Sequence, residues 1–357
     1  MRTDAQTRVL VTGATGKIGR HVVNELLARG YQVRALTSKP VAAATVSDRL
    51  EWYRLDFQES LDFDSLVQEC AAVIHLAAET SAKERMQRSN VEATRALAEA
   101  SERAAVKFFC YTSSVSVYGS SRRRRVLEDS PVLAADRDAR SEYWAEEGLR
   151  CYGRTKLQGE FAISAVAQNV EYVILRPTVV IDTQDLMKLR DWSKARKDLS
   201  GSSHAHHIYV YDVADAILWF MERSLRRDQP LAGVSTFNLS EDDTPIRTFS
   251  QIFKAAYGIS NDRKWRTTTM PWPSQWLLMM AKHRTLLLRQ PLGRMIFSGD
   301  KLQETGYTIR FGMSHAIAVL CEELASTGTS VVKDIESMRP AHDAPAEAPP
   351  AGSSNEP

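Results

Sequence analysis

Short apolar runs alternate with amphipathic stretches along the first half of the chain. Val9 to Val11 form the first run, a glycine-rich turn follows, and apolar residues then recur at helical spacing from Lys17 to Arg29. A second apolar run extends from Gln32 to Thr37. A strand, a helix and a second strand in this order predict two parallel strands joined by a right-handed crossover.

The same pattern predicts further strands at Leu50 to Leu55, Ala72 to His75, Lys107 to Thr112 and Glu171 to Arg176. A helical stretch near residues 90–104 precedes the strand at Lys107, and a second one at 152–169 precedes the strand at Glu171. Strands that alternate with helices are typical of a parallel sheet with helices on both faces. The sequence therefore predicts an α/β fold with a doubly wound parallel sheet of the Rossmann type.

The pattern is less regular after Val180. It predicts a strand at 208–211, a helix after Asp212, a strand at 235–239 and a helix at 249–257. The stretch 270–297 is rich in Trp, Leu and Met with interleaved basic residues. Its prolines favour core or lid packing, with a membrane-facing or pocket-lining segment as the alternatives.

Composition and charge exclude several classes of protein. The chain has 357 residues, of which 43% are hydrophobic, so it can bury a large core. A formal net charge of +2 gives no reason to expect a nucleic-acid surface. No apolar leader and no run long enough for a membrane span is found, so we expect a soluble, cytoplasmic protein. The cysteines lie far apart, which predicts reduced thiols and no metal site: Cys70, Cys110, Cys151 and Cys321.

The glycine-rich turn after the first strand is the first candidate site. Its glycines permit a tight turn and the close approach of a ligand. The free N–H groups and the positive dipole end of the following helix attract an anion, such as a dinucleotide pyrophosphate. The turn alone does not separate a cofactor site from an ordinary strand-to-helix connection. The predicted contacts here are Gly13, Thr15, Gly16, Lys17, Ile18 and Gly19.

The end of the second strand bears on the choice of cofactor. An acidic residue there would bind the ribose 2′-hydroxyl of NAD, but Arg34, Ser38 and Lys39 occupy this neighbourhood. These side chains favour a 2′-phosphate and therefore NADP, with NAD as the alternative. His75 is interpreted as a packed core residue. The residues after it leave room for a flat ring or a ribose: Leu76, Ala77 and Ala78.

Hydroxyl and charged side chains mark the later part of the same sheet edge. The strand at 107–112 leads into Ser113 and Ser114. Tyr152 and Lys156 lie one helical turn apart on one face, and a tyrosine beside an ammonium group is a tunable acid. The four consecutive arginines at 122–125 are interpreted as part of a solvated loop, with a rim that attracts phosphorylated substrates as the alternative.

Three motifs carry a family resemblance: Thr12-Gly13-x-x-Gly16-x-x-Gly19, Ser113-Ser114-x-x-Val117-Tyr118-Gly119 and Tyr152-x-x-x-Lys156. Leu175-Arg176-Pro177 and Ile208-Tyr209-Val210-Tyr211-Asp212 are lesser landmarks. With these motifs in this order, the chain resembles the extended short-chain dehydrogenase/reductase superfamily, which includes NAD(P)-dependent epimerases and dehydratases. The resemblance covers roughly Arg8 to Thr327 and leaves out only the tail.

The resemblance implies a catalytic Ser114, Tyr152 and Lys156, placed on the positions of the family's serine, tyrosine and lysine. Asp56 and Phe57 would meet the adenine. Lys156 and the nicotinamide charge would bring the pKa of Tyr152 closer to neutrality, so that the tyrosine exchanges a proton with a substrate held by Ser114. Three residues at this end complete the predicted cofactor contacts: Tyr152, Lys156 and Pro177.

The resemblance also implies a division of the chain. Residues 7–177 would form a dinucleotide-binding domain that also receives 207–222 and 234–240. Residues 178–206 and 241–330 would form a smaller C-terminal substrate-binding region. The Pro-, Ala-, Glu- and Ser-rich residues 333–357 predict a disordered tail.

Three functions stay open at this point. A carbonyl reductase or alcohol dehydrogenase for a largely apolar small molecule is favoured over a nucleotide-sugar epimerase or dehydratase, and a non-catalytic dinucleotide sensor or scaffold is the third alternative. Nucleotide-sugar members often have an arginine where this chain has Ala205-His206-His207, and a Tyr-Gly-Pro turn where it has Val180-Ile181-Asp182. Peripheral membrane contact is not favoured, and a homodimer is only a family expectation.

Overall fold

A seven-stranded parallel sheet forms the centre of the molecule. The computed structural model describes residues 7–40, 48–138, 142–143, 145–227, 233–271, 273–274, 277 and 292–326. All neighbouring strands of the sheet pair in parallel. From one edge to the other the strands are β10 (Gly233–Leu239), β7 (Glu171–Pro177), β5 (Phe108–Thr112), β4 (Cys70–His75), β1 (Arg8–Thr12), β2 (Gln32–Thr37) and β3 (Leu50–Arg54).

Helices cover both faces of this sheet because successive side chains of a buried strand point to opposite sides. In β1, Val9 and Val11 pack in one core cluster and Leu10 packs in the other. The predicted α/β fold with a doubly wound parallel sheet is confirmed. The first cluster is covered by α1 (Lys17–Ala28) and α8 (Val210–Leu225), and the second by α4 (Ala93–Arg103) and α5 (Glu147–Val166).

Shorter elements connect the strands and extend their carboxyl ends. A π-helical turn joins two of the helices, and a 3₁₀ turn directly follows β5. Because the chain changes direction at these places, they carry side chains towards the edge of the sheet. The elements are α2 (Asp64–Val67), α3 (Lys83–Gln87), the π turn (Arg88–Glu92), the 3₁₀ turn (Val115–Tyr118) and β6 (Arg125–Val126).

A further core begins directly after β7. One short parallel pair of strands, β8 with β9, lies in this region, and a second pair, β11 with β6, packs in a separate cluster with the 3₁₀ turn after β5. The apolar centre of the further core contains Ile181, Phe253, Trp265 and Ile317. The elements are β8 (Val179–Ile181), α6 (Thr183–Arg190), α7 (Lys194–Ser200), β9 (His207–Tyr209), α9 (Phe249–Ser260), 3₁₀ turns at Arg263–Trp265 and Leu292–Arg294, β11 (Ile296–Phe297), α10 (Asp300–Glu304) and α11 (Gly312–Ser326).

Two element boundaries differ from the predicted ones. The strand predicted at 208–211 ends at Tyr209, because Val210 already begins α8. The helix predicted to open at Tyr152 begins at Glu147 instead. Its N-cap residue, Glu146, makes no side-chain cap hydrogen bond, so the usual sequence signal for a helix start is missing.

Part of the predicted organisation cannot be compared with the structure. Most of the Trp-, Leu- and Met-rich stretch 270–297 and the whole predicted tail 333–357 lie outside the described residues. Within the described ranges, none of the helices combines the length and the apolar character needed to cross a membrane.

Candidate active site

The glycine turn between β1 and α1 is shaped by two close backbone approaches. Gly13 has a φ of +65°, and a Cβ there would lie 2.8 Å from the Ala77 nitrogen. A Cβ on Gly19 would lie 2.2 Å from the Gly13 carbonyl oxygen. The Gly16 N–H donates to that same oxygen at 2.9 Å, and α1 begins at the next residue. Only glycine fits at 13 and 19, and the turn leaves the first N–H groups of α1 for an anion.

A cleft of about 240 Å³ opens between this turn and the ends of β2, β3 and β4. It brings together ten of the residues that the sequence predicted as cofactor contacts. The carboxyl edge of a parallel sheet beside a helix N-terminus is where a dinucleotide fits. The ten residues are Gly13, Thr15, Gly16, Ser38, Lys39, Asp56, Phe57, Leu76, Ala77 and Ala78.

Arg34 does not reach the cleft, so its predicted role at a 2′-phosphate is wrong. Its side chain is buried, and Nη1 donates to the carbonyl oxygens of Leu66 at 2.7 Å and Gln68 at 3.1 Å. These carbonyls lie at the C-terminal end of α2, where a cation is favoured. Arg34 is also four residues before Ser38, which is roughly 13 Å along a strand.

Lys17 also departs from the prediction, because its ammonium group pairs with the Asp185 carboxylate of α6. The positive charge therefore faces α6, and Lys17 does not line the cleft. Ile18 packs its side chain against two core clusters, so only its backbone is available to a ligand. Arg20 makes a second link to α6 through Asp182, with Nη2 and Oδ2 2.9 Å apart.

Arg85 lines the cleft, although no motif in the sequence selects it. Its Nη2 lies 3.4 Å from Asp56 Oδ1, across the mouth of the cleft from β2. Arg85 belongs to α3, a helix of five residues without a motif, and no pattern in the sequence relates it to the strand ends. The structure also adds Thr37, Glu79 and Ser89 to the lining.

Ser114 lies at the start of the 3₁₀ turn that follows β5. Its Oγ accepts a hydrogen bond from the Ser116 N–H at 3.1 Å and donates one to Ser116 Oγ at 3.1 Å. Helix α5 packs directly on this turn, since a Cβ on Gly153 would lie 2.6 Å from the Ser116 carbonyl oxygen. Gly153 thereby allows the helix that carries Tyr152 and Lys156 to approach the strand end that carries Ser114.

Lys156 is only 1% exposed, and its Nζ lies 4.0 Å from the centroid of the Tyr111 ring. Burial lowers the pKa of Lys156 to about 7, because an ammonium group loses hydration there. Burial also raises the pKa of Tyr152 to about 12, with a smaller contribution from Tyr143. The predicted lowering of the Tyr152 pKa is therefore not found for the polypeptide alone.

His75 is a buried core residue, as predicted, and hydrogen bonds link it to both sides of the site. Its Nδ1 lies 2.7 Å from Thr12 Oγ1, which also accepts from the Ala77 N–H at 3.2 Å. Its Nε2 lies 3.0 Å from Thr94 Oγ1, and Thr94 donates to the Asn90 carbonyl at 2.8 Å. Because Thr94 donates onwards, Nε2 carries the proton and Nδ1 accepts. Burial, with Lys156 adding to it, lowers the His75 pKa to about 3.

A buried ion pair ties the neighbouring strand ends together. Arg176 of β7 donates to Glu160 of α5, with Nη2 and Oε2 2.5 Å apart. Glu160 also accepts from Ser113 Oγ at 2.5 Å. Arg176 Nη1 donates to the Tyr118 hydroxyl at 2.7 Å, and that hydroxyl donates to Asn238 Oδ1 of β10 at 2.7 Å. Ser113, Tyr118 and Pro177 are therefore held in one rigid framework around the candidate catalytic residues.

A second group of titratable residues lies in the core that follows β7. One ligand atom each of His204, His206 and Asp242 lies within 4.8 Å of the others, and all three residues are buried. Asp242 Oδ2 already accepts from His206 Nδ1 at 2.6 Å and from the Phe297 N–H at 2.9 Å. Burial, and the nearby charges of other residues, lower the His204 pKa to about 4. The Asp242 carboxylate therefore holds the His206 ring, and His204 lies beside them.

The four consecutive arginines divide between two environments. Arg125 pairs with Asp243 at 3.1 Å and with Asp300 at 2.8 Å, which joins β6 to α10. Arg122 and Arg123 are exposed and line a shallow recess with Asp129. The run therefore combines one structural ion-pairing residue with solvated ones.

Comparison with known proteins adds family and fold relationships. The sequence model of the NAD dependent epimerase/dehydratase family matches residues 9–232. A protein of Synechocystis sp. named "Putative dihydroflavonol 4-reductase" is 32% identical over 191 residues, which is 49% of this chain and 50% of that protein. UDP-glucose 4-epimerase of Bacillus subtilis is 30% identical over 40% of this chain and 47% of its own length. Vestitone reductase of Medicago sativa is 24% identical over 71% of this chain and 82% of its own length.

The chain thus spans about half of the length of the first two relatives. Among solved structures, MoeE5 in complex with UDP-glucose and NAD has a TM-score of 0.63 at 23% identity, over 90% of this chain and 99% of that one. Human epimerase family protein SDR39U1 with NADPH has a TM-score of 0.60 at 22% identity, over 89% of this chain and 99% of that one. At these identities the structural likeness shows the fold.

Proposed function

Because the chain belongs to the NAD dependent epimerase/dehydratase family, within the short-chain dehydrogenase/reductase superfamily, we propose that it is a nicotinamide-dependent oxidoreductase of the carbonyl reductase or alcohol dehydrogenase type. The observation that carries this proposal is the packing of α5 on the 3₁₀ turn after β5. With this packing, Tyr152 and Lys156, one helical turn apart, would lie beside the strand end that bears Ser114. We propose a largely apolar small molecule as the substrate.

The cleft supplies the groups that would bind the dinucleotide. Backbone N–H groups at the start of α1 would bind the pyrophosphate, and Asp56 with Phe57 would face the adenine. Because Gly13 has no Cβ, its backbone packs closely against Ala77, which leaves room for the pyrophosphate to approach the backbone of the turn. When bound, the nicotinamide supplies the hydride chemistry. Pro177, at the end of β7, would contact the nicotinamide end of the cofactor.

The chain's own residues would position the substrate and transfer the proton. Tyr152 would exchange a proton with the substrate oxygen, and its raised pKa keeps the phenol protonated at neutral pH. Lys156 would hold the ribose hydroxyls of the cofactor. Ser114 would hydrogen-bond the substrate oxygen after its Oγ turns away from Ser116. Exclusion of water between α5 and the 3₁₀ turn would strengthen these hydrogen bonds.

We propose that NADP is preferred over NAD. With Arg34 directed elsewhere, this preference rests on Ser38 and Lys39 at the end of β2, with Arg85 on the other side of the cleft. A Lys39→Ala variant should weaken NADPH binding about fivefold and leave NADH binding unchanged, since only the 2′-phosphate contact is removed. Titration of both dinucleotides checks this, and equal losses for the two would contradict the assignment.

The region after Pro177 is proposed to bind the substrate, through residues 178–206 and 241–330. A reductase acting on an apolar compound is supported by the likeness to vestitone reductase over most of that protein's length. A nucleotide-sugar epimerase or dehydratase is the second candidate, favoured by the likeness to UDP-glucose 4-epimerase. One feature of the sequence argues against this candidate. Nucleotide-sugar members often have an arginine that binds the diphosphate where this chain has Ala205-His206-His207.

A substrate screen combined with Tyr152→Phe tests the proposed reaction. The protein with NADPH or NADH is assayed on ketones, aldehydes and nucleotide sugars. Tyr152→Phe should lower kcat by roughly 10²- to 10⁴-fold with unchanged cofactor affinity, because only the proton donor is lost. Tyr211→Phe, at a partly exposed tyrosine whose ring lies tilted against His21, is the control and should keep full activity. Unchanged turnover in Tyr152→Phe would remove the tyrosine from the mechanism.

A further inference from the structure

A strongly basic recess lies in the core that follows β7, outside the candidate active site. It is formed where the end of α6 and helix α7 meet the 3₁₀ turn at 263–265. These segments are about 70 residues apart in the sequence, so the sequence of neither segment alone predicts the recess. Its lining residues are Arg190, Asp191, Trp192, Lys194, Lys197, Arg263, Lys264 and Arg266.

Lys197 joins the two segments that form this basic recess. Its side chain is 3% exposed, and Nζ donates to the carbonyl oxygens of Arg190, at 2.5 Å, and of Lys264. On the outer face of α7, the Arg196 guanidinium stacks over the Trp192 ring at 3.8 Å from its centroid. The recess therefore has a fixed floor and exposed cations around its rim.

Charge is concentrated at the basic recess far beyond the average of the chain. With Arg196 it contains seven basic residues, and three acidic residues lie among them, which gives a net charge of +4 against +2 for the whole protein. The side chains of Lys194 and Lys264 are 70% and 59% exposed. The three acids are each engaged in an ion pair, Asp191 with Lys264, Asp198 with Lys194 and Asp262 with Arg190.

Exposed apolar side chains accompany this charge. Leu199 of α7 is 44% exposed, and Leu277 is 60% exposed. Thr268 and Met270 lie at the rim of the recess, where the Thr268 N–H donates to Asp198 Oδ1 at 2.6 Å and the Met270 N–H to the Asp198 carbonyl at 2.9 Å. Exposed leucines beside a cluster of cations are typical of surfaces that lie on anionic lipid.

We propose that the basic recess docks the protein on an anionic lipid bilayer. Headgroup phosphates would lie against Lys194, Arg196 and Lys264, and Leu199 would enter the boundary between headgroups and acyl chains. A bilayer is favoured over a nucleic acid because the exposed leucines would gain from apolar contact, which a sugar-phosphate backbone does not offer. An enzyme for an apolar substrate would gain access to compounds that dissolve in the membrane, but the proposal does not depend on the reaction.

Vesicle sedimentation of the full chain tests this proposal. Vesicles of phosphatidylcholine alone are compared with vesicles that contain about 30% phosphatidylglycerol, at about 20 mM and about 500 mM salt, where screening lengths differ several-fold. We expect binding to the anionic vesicles at low salt only. The double variant Arg196→Glu/Lys264→Glu should lose binding at least tenfold, because each cation near such a surface contributes roughly fivefold.

Matched variants distinguish vesicle binding through the basic recess from binding through the overall charge of the protein. Arg122→Glu/Arg123→Glu makes the same charge change on exposed arginines elsewhere and should keep vesicle binding. Leu199→Gln should weaken binding without altering the salt dependence. Unfolding temperatures of all variants establish that they are folded. Absence of binding to anionic vesicles, equal loss in the control pair, or binding to heparin or duplex DNA without binding to vesicles would each overturn the proposal.

Discussion

Charges at the carboxyl edge of the sheet are buried, whereas charges around the basic recess face water. At the sheet edge Arg176 and Glu160 are 6% and 4% exposed and satisfy each other together with Ser113. At the recess Lys194 and Lys264 are more than half exposed. The first region holds its groups in one geometry for chemistry, and the second keeps them available to an outside partner. The same residue types therefore have different consequences when they are replaced.

The largest difference is expected for ion pairs. Arg176→Met removes the charged partner of the buried Glu160 carboxylate and leaves Ser113 Oγ as its remaining donor in this network. The substitution should lower the free energy of unfolding by about 3 to 5 kcal/mol. Lys264→Met, at the basic recess, breaks an exposed pair with Asp191 and should cost less than about 1 kcal/mol. Urea unfolding of both variants measures this. Equal losses would show that burial does not distinguish the two regions.

Glycine replacements should separate the regions next. Gly19→Ala puts a methyl group 2.2 Å from the Gly13 carbonyl oxygen, so the turn must move. We expect a loss of about 1 to 3 kcal/mol in stability and at least a tenfold loss in dinucleotide affinity. Gly258→Ala, in α9 with nothing within 4 Å of the new methyl group, should instead add up to about 1 kcal/mol. Normal cofactor binding by Gly19→Ala would contradict the role of the turn.

These variants also show what the sequence could reveal. Gly13 and Gly19 are needed because backbone atoms meet there, so the requirement is local and leaves glycines at fixed spacing. The parallel sheet was equally predictable, because each buried strand is a short apolar run. The identity of the superfamily followed from the order of such local signals.

Contacts between distant side chains were not predictable in this way. Arg34 was expected at the cofactor because of its position near a strand end, but the carbonyl oxygens at the end of α2 bind it. Arg85 faces the cleft through a short helix without a motif. The basic recess requires α7 and the turn at 263–265 to meet through the buried Lys197. In each case the partner is chosen by tertiary packing, which periodicity does not encode.

The smallest effect, counted for a single pH unit, concerns the pH dependence of stability. Burial lowers the Lys156 pKa from 10.5 to about 7, so the unfolded chain binds the extra proton and stability rises between these pH values. Burial raises the Glu241 pKa from 4.5 to about 8, so the folded chain binds the extra proton and stability falls between those values. Lys156→Met should remove the rise and Glu241→Gln the fall, each by about 1 kcal/mol per pH unit inside its interval.

Thermal unfolding of the protein without cofactor, at pH 5, 6, 8 and 9, measures both effects. Lys156→Met should stabilise the protein relative to the parent at pH 6 and less so at pH 9. Glu241→Gln should show its advantage over the parent at pH 8 and lose it at pH 5. Parallel pH profiles for the parent and both variants would mean that neither group titrates differently in the folded chain.

Direct titration with NADPH and with NADH, followed by nucleotide fluorescence, tests the central claim most directly. The account predicts saturable binding of one dinucleotide per chain, tighter for NADPH, at the cleft closed by Gly13, Asp56 and Ala77. Competition by the oxidised dinucleotide and loss of binding in Gly19→Ala would place the ligand at that turn. Failure of both dinucleotides to bind the folded protein would contradict the account.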